Sequence, residues 1–102
     1  MSGQWLYRVV PARSGMVGDP TPEEAALVGA HFEYLVRLRD RGILILAGRT
    51  QEEQGTFGIV IFEAETEDEA RRITEADPAI AGGVFEVSLH PYRVAVARDG
   101  LV

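Results

Sequence analysis

The sequence predicts a single α+β domain of the ferredoxin-like kind, in which two helices cover one face of a four-stranded antiparallel sheet. Three observations support this prediction. The chain of 102 residues has room for one hydrophobic core. Helix-starting motifs occur at Thr21 and Thr66. Four apolar stretches with strand-like patterns surround these helices in the order βαββαβ. We therefore treat residues 1–102 as one domain.

The first strand is followed by a loop. Residues 4–10 are apolar and aromatic enough for a strand, which Pro11 ends. Alternation along this strand places three large side chains on one face: Trp5, Tyr7 and Val9. Residues 12–20 are rich in glycine and polar side chains, a composition typical of an exposed, mobile loop. We interpret this segment as a lid or a loop tip.

A long helix begins after this loop. Thr21 has the properties of an N-cap, Pro22 occupies the first helical position, and Glu24 completes the spacing of a capping box. Gly42 is a stop signal, so the helix should run to about Arg41. With about 100° between successive residues, one face of this helix is apolar. That face contains Leu27, Val28, His31, Phe32, Leu35 and Leu38.

Two apolar runs then predict an antiparallel hairpin. Residues 43–47 are continuously apolar, which is typical of a strand that is buried on both faces, and residues 57–64 resume the strand pattern. Residues 51–55 are polar and turn-like, so the connecting loop should contain about six residues. These two runs are the predicted second and third strands of the sheet.

The second helix is predicted to be shorter than the first. Thr66 begins another capping-box pattern, and Pro78 should end the helix. Residues 79–83 then form a turn of small residues, and residues 84–89 alternate as a final strand that could continue to Val96. The inward line of the helix contains Ala70, Ile73 and Asp77.

The face of the sheet that no helix covers is also apolar. Residues 43–47 and 59–62 carry apolar side chains on both sides, whereas a solvated sheet face would alternate with polar residues. A second copy, packed sheet against sheet with twofold symmetry, would bury this face and close an eight-stranded barrel. The sequence therefore predicts a homodimer in the form of a dimeric α/β barrel.

Composition argues against several partners and compartments. The formal net charge of −6, from 16 acidic and 10 basic side chains, opposes binding to a phosphate backbone. The chain has no cysteine, which excludes disulfides, thiolate nucleophiles and Cys-based zinc sites. No stretch approaches the roughly 20 apolar residues that a membrane span needs, and the N-terminus has no signal-peptide pattern. We expect a cytoplasmic protein that binds neither nucleic acid nor membranes.

His31 and Asp77 are the candidate catalytic residues. An imidazole on an apolar helix face is either functional or a core histidine that bonds a backbone carbonyl. Asp77 lies at the predicted end of the second helix, where the dipole disfavours an anion, and its alternative role is to form the turn before Pro78. Because both helices cover the same sheet face, the two side chains could meet. A carboxylate there would fix the imidazole's tautomer for general acid/base chemistry.

Arginines are candidates for substrate binding. Arg49, at the end of an apolar strand, and Arg8 could each hold a substrate carboxylate in a bidentate contact, and the alternative is an exposed salt bridge. His90 is interpreted as a surface or interface residue. The two histidines match no usual metal-site spacing, and there is no glycine-rich phosphate loop, so we expect no metal and no cofactor.

Several short motifs lie along the chain in this order: His31 in the first helix, Gly42, Ala47-Gly48, Glu69-Ala70, and Asp77-Pro78 followed by Gly82 or Gly83. In their order and spacing, from Trp5 to about Tyr92, the sequence resembles the YCII-related family. The resemblance implies a dimeric α+β barrel with an active site built on His31 and Asp77. It also implies kinship with muconolactone isomerases and with dehydrochlorinases of chlorinated hydroxyquinols. The chain departs from the family pattern at Arg49, Ala79 and Tyr92.

Two classes of function remain open. The first is a cofactor-independent enzyme, a lyase, isomerase, dehydrochlorinase or hydrolase-like catalyst, in which His31 moves a proton on a small aromatic or anionic molecule. The second is a non-catalytic ligand-binding or regulatory homodimer that uses the same pocket. A monooxygenase would need a pocket richer in Trp and Tyr. A His31 that faces a cavity and bonds Asp77 favours catalysis.

Overall fold

The domain is a four-stranded antiparallel sheet with helices, as the sequence predicts. The computed structural model describes residues 3–101, and no helix among them is long and apolar enough to cross a membrane. The elements are β1 (Gly3–Pro11), α1 (Pro22–Asp40), β2 (Leu44–Arg49), β3 (Gly58–Ala64), α2 (Glu67–Glu75), α3 (Pro78–Ala81) and β4 (Phe85–Tyr92). The strands are ordered β2-β3-β1-β4, and each neighbouring pair is antiparallel.

The helix α1 begins where its capping box predicts. The Thr21 hydroxyl accepts a hydrogen bond from the Glu24 backbone N–H at 3.1 Å, and Glu24 Oε1 accepts one from the Thr21 N–H at 2.8 Å. The helix ends at Asp40, with Arg41 as its C-cap. Gly42 follows with a φ of 75°, a backbone conformation that glycine adopts without strain. Both predicted ends of the helix are confirmed.

Alternation along the central strands separates the two faces of the sheet. Tyr7 of β1 lies opposite Val60 of β3 and Leu89 of β4. Tyr7 and Val60 are buried with Phe62, whose ring meets that of Tyr7 edge to face at a centroid distance of 5.8 Å. Ala70 of α2 belongs to the same cluster. The core therefore lies between this face of the sheet and the helices.

The segment after α2 differs from the prediction. The expectation that one helix extends to Asp77 and ends at Pro78 is wrong, because α2 ends at Glu75 with Ala76 as its C-cap, and Asp77 is the N-cap of α3. Proline lacks the N–H that a helix interior needs, but its fixed φ suits the first position of a new helix. Pro78 therefore begins a short helix where the sequence predicts only a turn.

The loop between β1 and α1 is fastened to the domain. Arg13 donates to both oxygens of the Glu24 carboxylate, at 2.7 and 3.0 Å, and to the Asp19 carbonyl at 2.8 Å. These bonds from Arg13, together with the Thr21 backbone N–H, lower the pKa of Glu24 to about 2. Met16 is only 3% exposed although the residues around it are exposed. The loop thus packs one apolar side chain inward, which its polar composition does not predict.

Two apolar positions are more exposed in the single chain than the sequence predicts, and one strand is shorter. The strand β2 lies at the edge of the sheet and pairs with β3 alone, so the prediction that residues 43–47 are buried on both faces is wrong for this chain. Leu46 is 36% exposed. Phe32, on the apolar face of α1, is 67% exposed. The last strand ends at Tyr92 and does not continue to Val96.

Gly82 lies where α3 packs against α1. A Cβ at this position would be 2.7 Å from Leu27 Cδ1 and 2.9 Å from the Pro78 carbonyl oxygen. We expect Gly82→Ala to lower the free energy of unfolding by about 1–3 kcal/mol, because the backbone oxygen cannot move cheaply. In α1, a Cβ at Gly29 meets nothing within 4 Å. Gly29→Ala should therefore raise the free energy by about 0.5–1 kcal/mol.

Urea unfolding of the two alanine variants and the wild type measures this difference. Each variant adds one methyl group to a helical region, so the comparison isolates the packing of α3 against α1. Equal stability of Gly82→Ala and Gly29→Ala would contradict that packing.

Candidate active site

A cleft opens between α1, the loop that precedes it, and the strands β2 and β3. Its volume is about 740 Å³, within the range of small-molecule sites. Most of the lining side chains are apolar, among them Met16, Leu35, Val36, Val60 and Phe85. The polar side chains of the lining are His31, Arg39, Arg49 and Thr56. An apolar cleft with a few polar side chains is the usual form of a small-molecule site.

The structure brings His31 and Asp77 together beside this cleft. His31 Nδ1 lies 2.6 Å from Asp77 Oδ2. The imidazole lines the cleft with 14% of its side chain exposed. The ring of Phe85 meets the imidazole edge to face at a centroid distance of 5.2 Å. His31 is thus bonded to a carboxylate, and the alternative of a core histidine held by a backbone carbonyl does not describe it.

Asp77 is fully buried and accepts three hydrogen bonds. Its Oδ2 atom accepts one from the Tyr7 hydroxyl at 2.7 Å as well as the one from His31. Its Oδ1 atom accepts one from the Ala79 backbone N–H at 3.0 Å. The expectation that the helix dipole disfavours this anion is wrong, because Asp77 caps the N-terminus of α3. The two roles proposed for Asp77, turn former and partner of His31, are combined in one carboxylate.

The partners of Asp77 determine which nitrogen of His31 is free. The Ala79 N–H can only donate, and an ionised carboxylate can only accept. With Asp77 ionised, His31 carries a proton on Nδ1 to bond Oδ2, and Nε2 has no hydrogen-bond partner within residues 3–101. In the neutral imidazole, Nε2 therefore offers a lone pair at the cleft. This atom can take up a proton and later return it.

Tyr7 is a site residue that the sequence analysis missed, because it placed Tyr7 only on the strand face. Burial raises the pKa of Tyr7, and the charge of Asp77 raises it further. The hydroxyl therefore keeps its proton and donates a hydrogen bond to Asp77. A buried tyrosine on the inner face of a strand needs a hydrogen-bond partner, and this requirement is the signal that the sequence offered.

A second tyrosine ties the helices together. The Tyr34 hydroxyl donates to the Ile73 carbonyl at 2.6 Å and so connects α1 to α2. Burial raises the pKa of Tyr34, and the nearby Asp77 carboxylate raises it further. The position of α1 is thus fixed by two hydrogen bonds, from Tyr34 to the Ile73 carbonyl and between His31 and Asp77, as well as by apolar packing.

The two predicted substrate-binding arginines lie on different faces of the sheet. Arg49 pairs with Gly58 at the end of β2 and lines the cleft. Arg8 lies on the face opposite Tyr7, with its guanidinium carbon 4.5 Å from the centre of the Phe57 ring, and is not part of the cleft lining. The roles of both arginines stay predictions, and the geometry favours Arg49.

The second histidine lies away from the cleft. His90 is exposed on β4, where its Nε2 atom is 2.9 Å from the Ser88 hydroxyl. In the part of the chain that the structure describes, no three or more His, Cys, Asp or Glu side chains form a group that could hold a metal ion.

Comparisons with known proteins agree with the sequence motifs. Residues 9–91 match the YCII-related domain. The chain is also 31% identical over 67 residues to the uncharacterized protein YjpA of Bacillus subtilis (strain 168), a match that covers 66% of this chain and 76% of YjpA.

Solved structures share the fold. One is the 5-chloro-2-hydroxyhydroquinone dehydrochlorinase TftG from Burkholderia phenoliruptrix AC1100, in complex with 2,5-dihydroxybenzoquinone. It is 22% identical with a TM-score of 0.65, and the match covers 87% of this chain and 93% of TftG. Another is SnoaB, a cofactor-independent oxygenase from Streptomyces nogalater, at 10% identity, a TM-score of 0.51, and coverage of 96% and 97%. These likenesses confirm the predicted fold, that of the dimeric α+β barrel proteins.

We expect Tyr7→Phe to change the stability of the protein at alkaline pH. The pKa of Tyr7 in the folded protein lies above its ordinary value of 10.0. The contribution of this group is therefore complete below pH 10.0 and is lost as the pH rises above it. In that range, Tyr7 should lower the free energy of unfolding of the wild type by up to about 1.4 kcal/mol per pH unit. Tyr7→Phe should lack this component.

Urea unfolding from about pH 8 to pH 11 measures the effect. Tyr92→Phe, which removes an exposed hydroxyl on β4, is the control and should follow the wild type. Parallel curves for wild type and Tyr7→Phe would contradict the buried bond between Tyr7 and Asp77.

Proposed function

The chain belongs to the YCII-related domain family, and from that premise we propose that it is an enzyme in which His31 is a general base and Asp77 orients it. The reaction is a cofactor-independent elimination or isomerisation of a small cyclic molecule. One observation carries the proposal: His31 lines an apolar cleft while its Nδ1 atom lies 2.6 Å from the buried Asp77 carboxylate.

The chemistry requires only proton transfer. Nε2 of His31 accepts a proton from a C–H or O–H group of the substrate, and the electron pair left behind moves into the ring of the substrate. In an elimination, this pair forms a new double bond and chloride leaves from a carbon atom of the ring. In an isomerisation, the proton returns from Nε2 to a different carbon atom. Neither route needs an oxidant, a reductant or a covalent enzyme intermediate.

The composition of the cleft supports proton transfer over nucleophilic catalysis. Within residues 3–101, no serine lines the cleft, and the chain contains no cysteine. The hydroxyl of Thr56 donates to the Glu52 carbonyl at 2.7 Å. His31 therefore has no activated hydroxyl or thiol to serve, and the substrate itself is the natural source of the proton.

One of the fold neighbours supports this class of reaction, because TftG is a dehydrochlorinase whose structure holds a dihydroxybenzoquinone. SnoaB, a cofactor-independent oxygenase, represents the alternative. The aromatic side chains of the cleft here are Phe32, Phe57 and Phe85, with no Trp or Tyr among the described lining residues. Because an oxygenase of this fold is expected to need a pocket rich in Trp and Tyr, this lining favours elimination or isomerisation.

We expect His31→Ala to lower turnover by about 100-fold or more, because the general base is lost. Asp77→Asn should also lower turnover, since the side-chain amide can donate to Nδ1 and move the imidazole proton to Nε2. Turnover is followed by NMR in D2O, as loss of substrate with release of chloride or as deuterium exchange, with chlorinated hydroxyhydroquinones and unsaturated cyclic acids as test substrates. Arg72→Gln, at an exposed position of α2 outside the cleft lining, is the control.

The nitrogen chemical shifts of the His31 imidazole show whether Asp77→Asn changes the tautomer of His31 or only lowers the stability of the protein. In the wild type, we expect neutral His31 to carry its proton on Nδ1, and in Asp77→Asn on Nε2. Activity that survives in His31→Ala would refute the mechanism. Tight binding of a test compound without exchange or turnover would assign the cleft to a non-catalytic ligand-binding protein instead.

The proposed active form is a homodimer. The sheet face opposite Tyr7 carries apolar side chains that are partly or largely exposed in the single chain: Leu6, Val10, Leu46 and Ile59. Packing this face against that of a second copy would bury them and close the barrel. The dimeric α+β barrel architecture of the fold neighbours supports this assembly.

Two substitutions at matched exposure test the dimer. Leu46 is 36% exposed on this face, and Val87 is 38% exposed on the face that carries Tyr7. Leu46→Asp should dissociate the dimer, because it would bury a carboxylate at the interface. Val87→Asp should leave it intact. Light scattering should give twice the 11.2 kDa chain mass for wild type and Val87→Asp. A wild type of 11.2 kDa would refute the dimer.

A further inference from the structure

We infer that the cleft takes an organic anion, a flat and largely apolar molecule whose carboxylate is bound by Arg49. The inference rests on the proposed function in one respect, that the ring of this molecule lies beside His31. It goes beyond that function because it names the chemical class of the ligand and the residue that recognises its charge.

The charge of the cleft differs from that of the whole chain. The chain has 16 acidic and 10 basic side chains. Nevertheless Arg39 and Arg49 line the cleft, and among residues 3–101 no Asp or Glu does. Asp77 is fully buried, lies outside the lining and is engaged by three donors. A cationic lining in an acidic protein favours an anionic ligand and disfavours a cationic one.

Arg49 is the cationic side chain of the cleft whose charge is free for a ligand. Arg39 donates from Nε and Nη2 to Asp40 Oδ1, at 3.1 and 3.0 Å. The Thr56 hydroxyl is engaged by a backbone carbonyl. The Arg49 side chain, in contrast, has no hydrogen bond or ion pair with any residue in the range 3–101. Arg49 is therefore the guanidinium of the lining that is wholly unengaged, and the Nε2 atom of His31 is a second polar group without a partner in that range.

The backbone directs Arg49 to the side of the sheet that faces α1. Arg49 pairs with Gly58, which in turn pairs with the buried Val9. A Cβ built on Gly58 would lie 3.0 Å from Val9 Cγ2 and 3.9 Å from Arg49 Cβ, so the three positions form a row on one face. Because Gly58 has no side chain, the space beside Arg49 stays open.

The rest of the cleft suits an apolar body. Its walls include Met16 from the loop, Leu35 from α1 and Phe85 from β4. The planar fork of a guanidinium matches the two oxygens of a carboxylate. A ligand with a single hydroxyl offers one oxygen and cannot make this two-point contact. His31 on α1 and Arg49 on β2 approach the cleft from different elements. In the proposed binding mode, a ring acid in this cleft contacts both residues.

Binding of two nearly isosteric probes tests the inference. We use 2-naphthoate, which carries the charge, and 2-naphthamide, which lacks it, and measure binding by isothermal titration calorimetry near pH 7. The wild type should bind naphthoate roughly tenfold or more tightly than naphthamide. Arg49→Gln should abolish this preference by weakening naphthoate alone. Arg49→Lys, which keeps the charge but loses the fork, should retain part of it.

Arg72→Gln is the matched control. Both variants replace one arginine by glutamine and therefore have the same net charge. Arg72, however, is exposed on α2 and outside the cleft lining. Arg72→Gln should keep the full preference for naphthoate. Equal affinity of the wild type for the two probes, no binding of either at millimolar concentration, or a preference that persists in Arg49→Gln would each overturn the inference.

The experiment also separates this inference from the proposed function. Binding of the probes requires no turnover, and His31→Ala should keep the preference for naphthoate because Arg49 is intact. If that preference depends on Arg49 while no substrate is turned over, the anion site stands and the catalytic proposal fails. If turnover depends on His31 while the probes bind equally, catalysis stands and the anion site fails.

Discussion

Asp77 is excluded from solvent and accepts hydrogen bonds from three separate elements: Tyr7 on β1, His31 on α1 and the backbone of Ala79 in α3. A buried carboxylate without partners would cost several kcal/mol, roughly the stability of a small domain. Each donor therefore offsets part of the cost of burying this carboxylate. The interactions that hold the sheet and the helices in place are also those that orient the imidazole at the cleft.

The break between α2 and α3 makes this arrangement possible. A single helix that ended at Pro78 would place Asp77 at its negative end, where a buried anion is unfavourable. Because α2 ends at Glu75 and Pro78 starts a new helix, Asp77 receives a backbone N–H donor instead. Gly82 ends α3 with no side chain, which lets α3 lie close to Leu27 of α1. Local backbone chemistry thus supports the buried charge.

The fold alone does not decide what the cleft does. A dehydrochlorinase and an oxygenase share this architecture, so function depends on the side chains that each chain presents. In this chain the described lining combines one imidazole, two guanidinium groups and a largely apolar wall. The overall charge of −6 acts at long range and is screened by salt, whereas Arg49 acts on a ligand in contact with it. Local charge therefore governs which ligand the proposed site selects.

The sequence by itself determined the order of the four strands and the two longer helices and both ends of α1, because caps and alternation depend on residues close together in the chain. It offered His31 and Asp77 as candidates that could meet, and their contact across 46 positions was decided by the packing of the helices. Only the tertiary structure decided the rest. Tyr7 lies 70 positions from Asp77, so their bond depends on how the sheet and helices pack. The edge position of β2 and the different faces of Arg8 and Arg49 follow from strand order and register. Such contacts are non-local, and no short segment of the sequence specifies them.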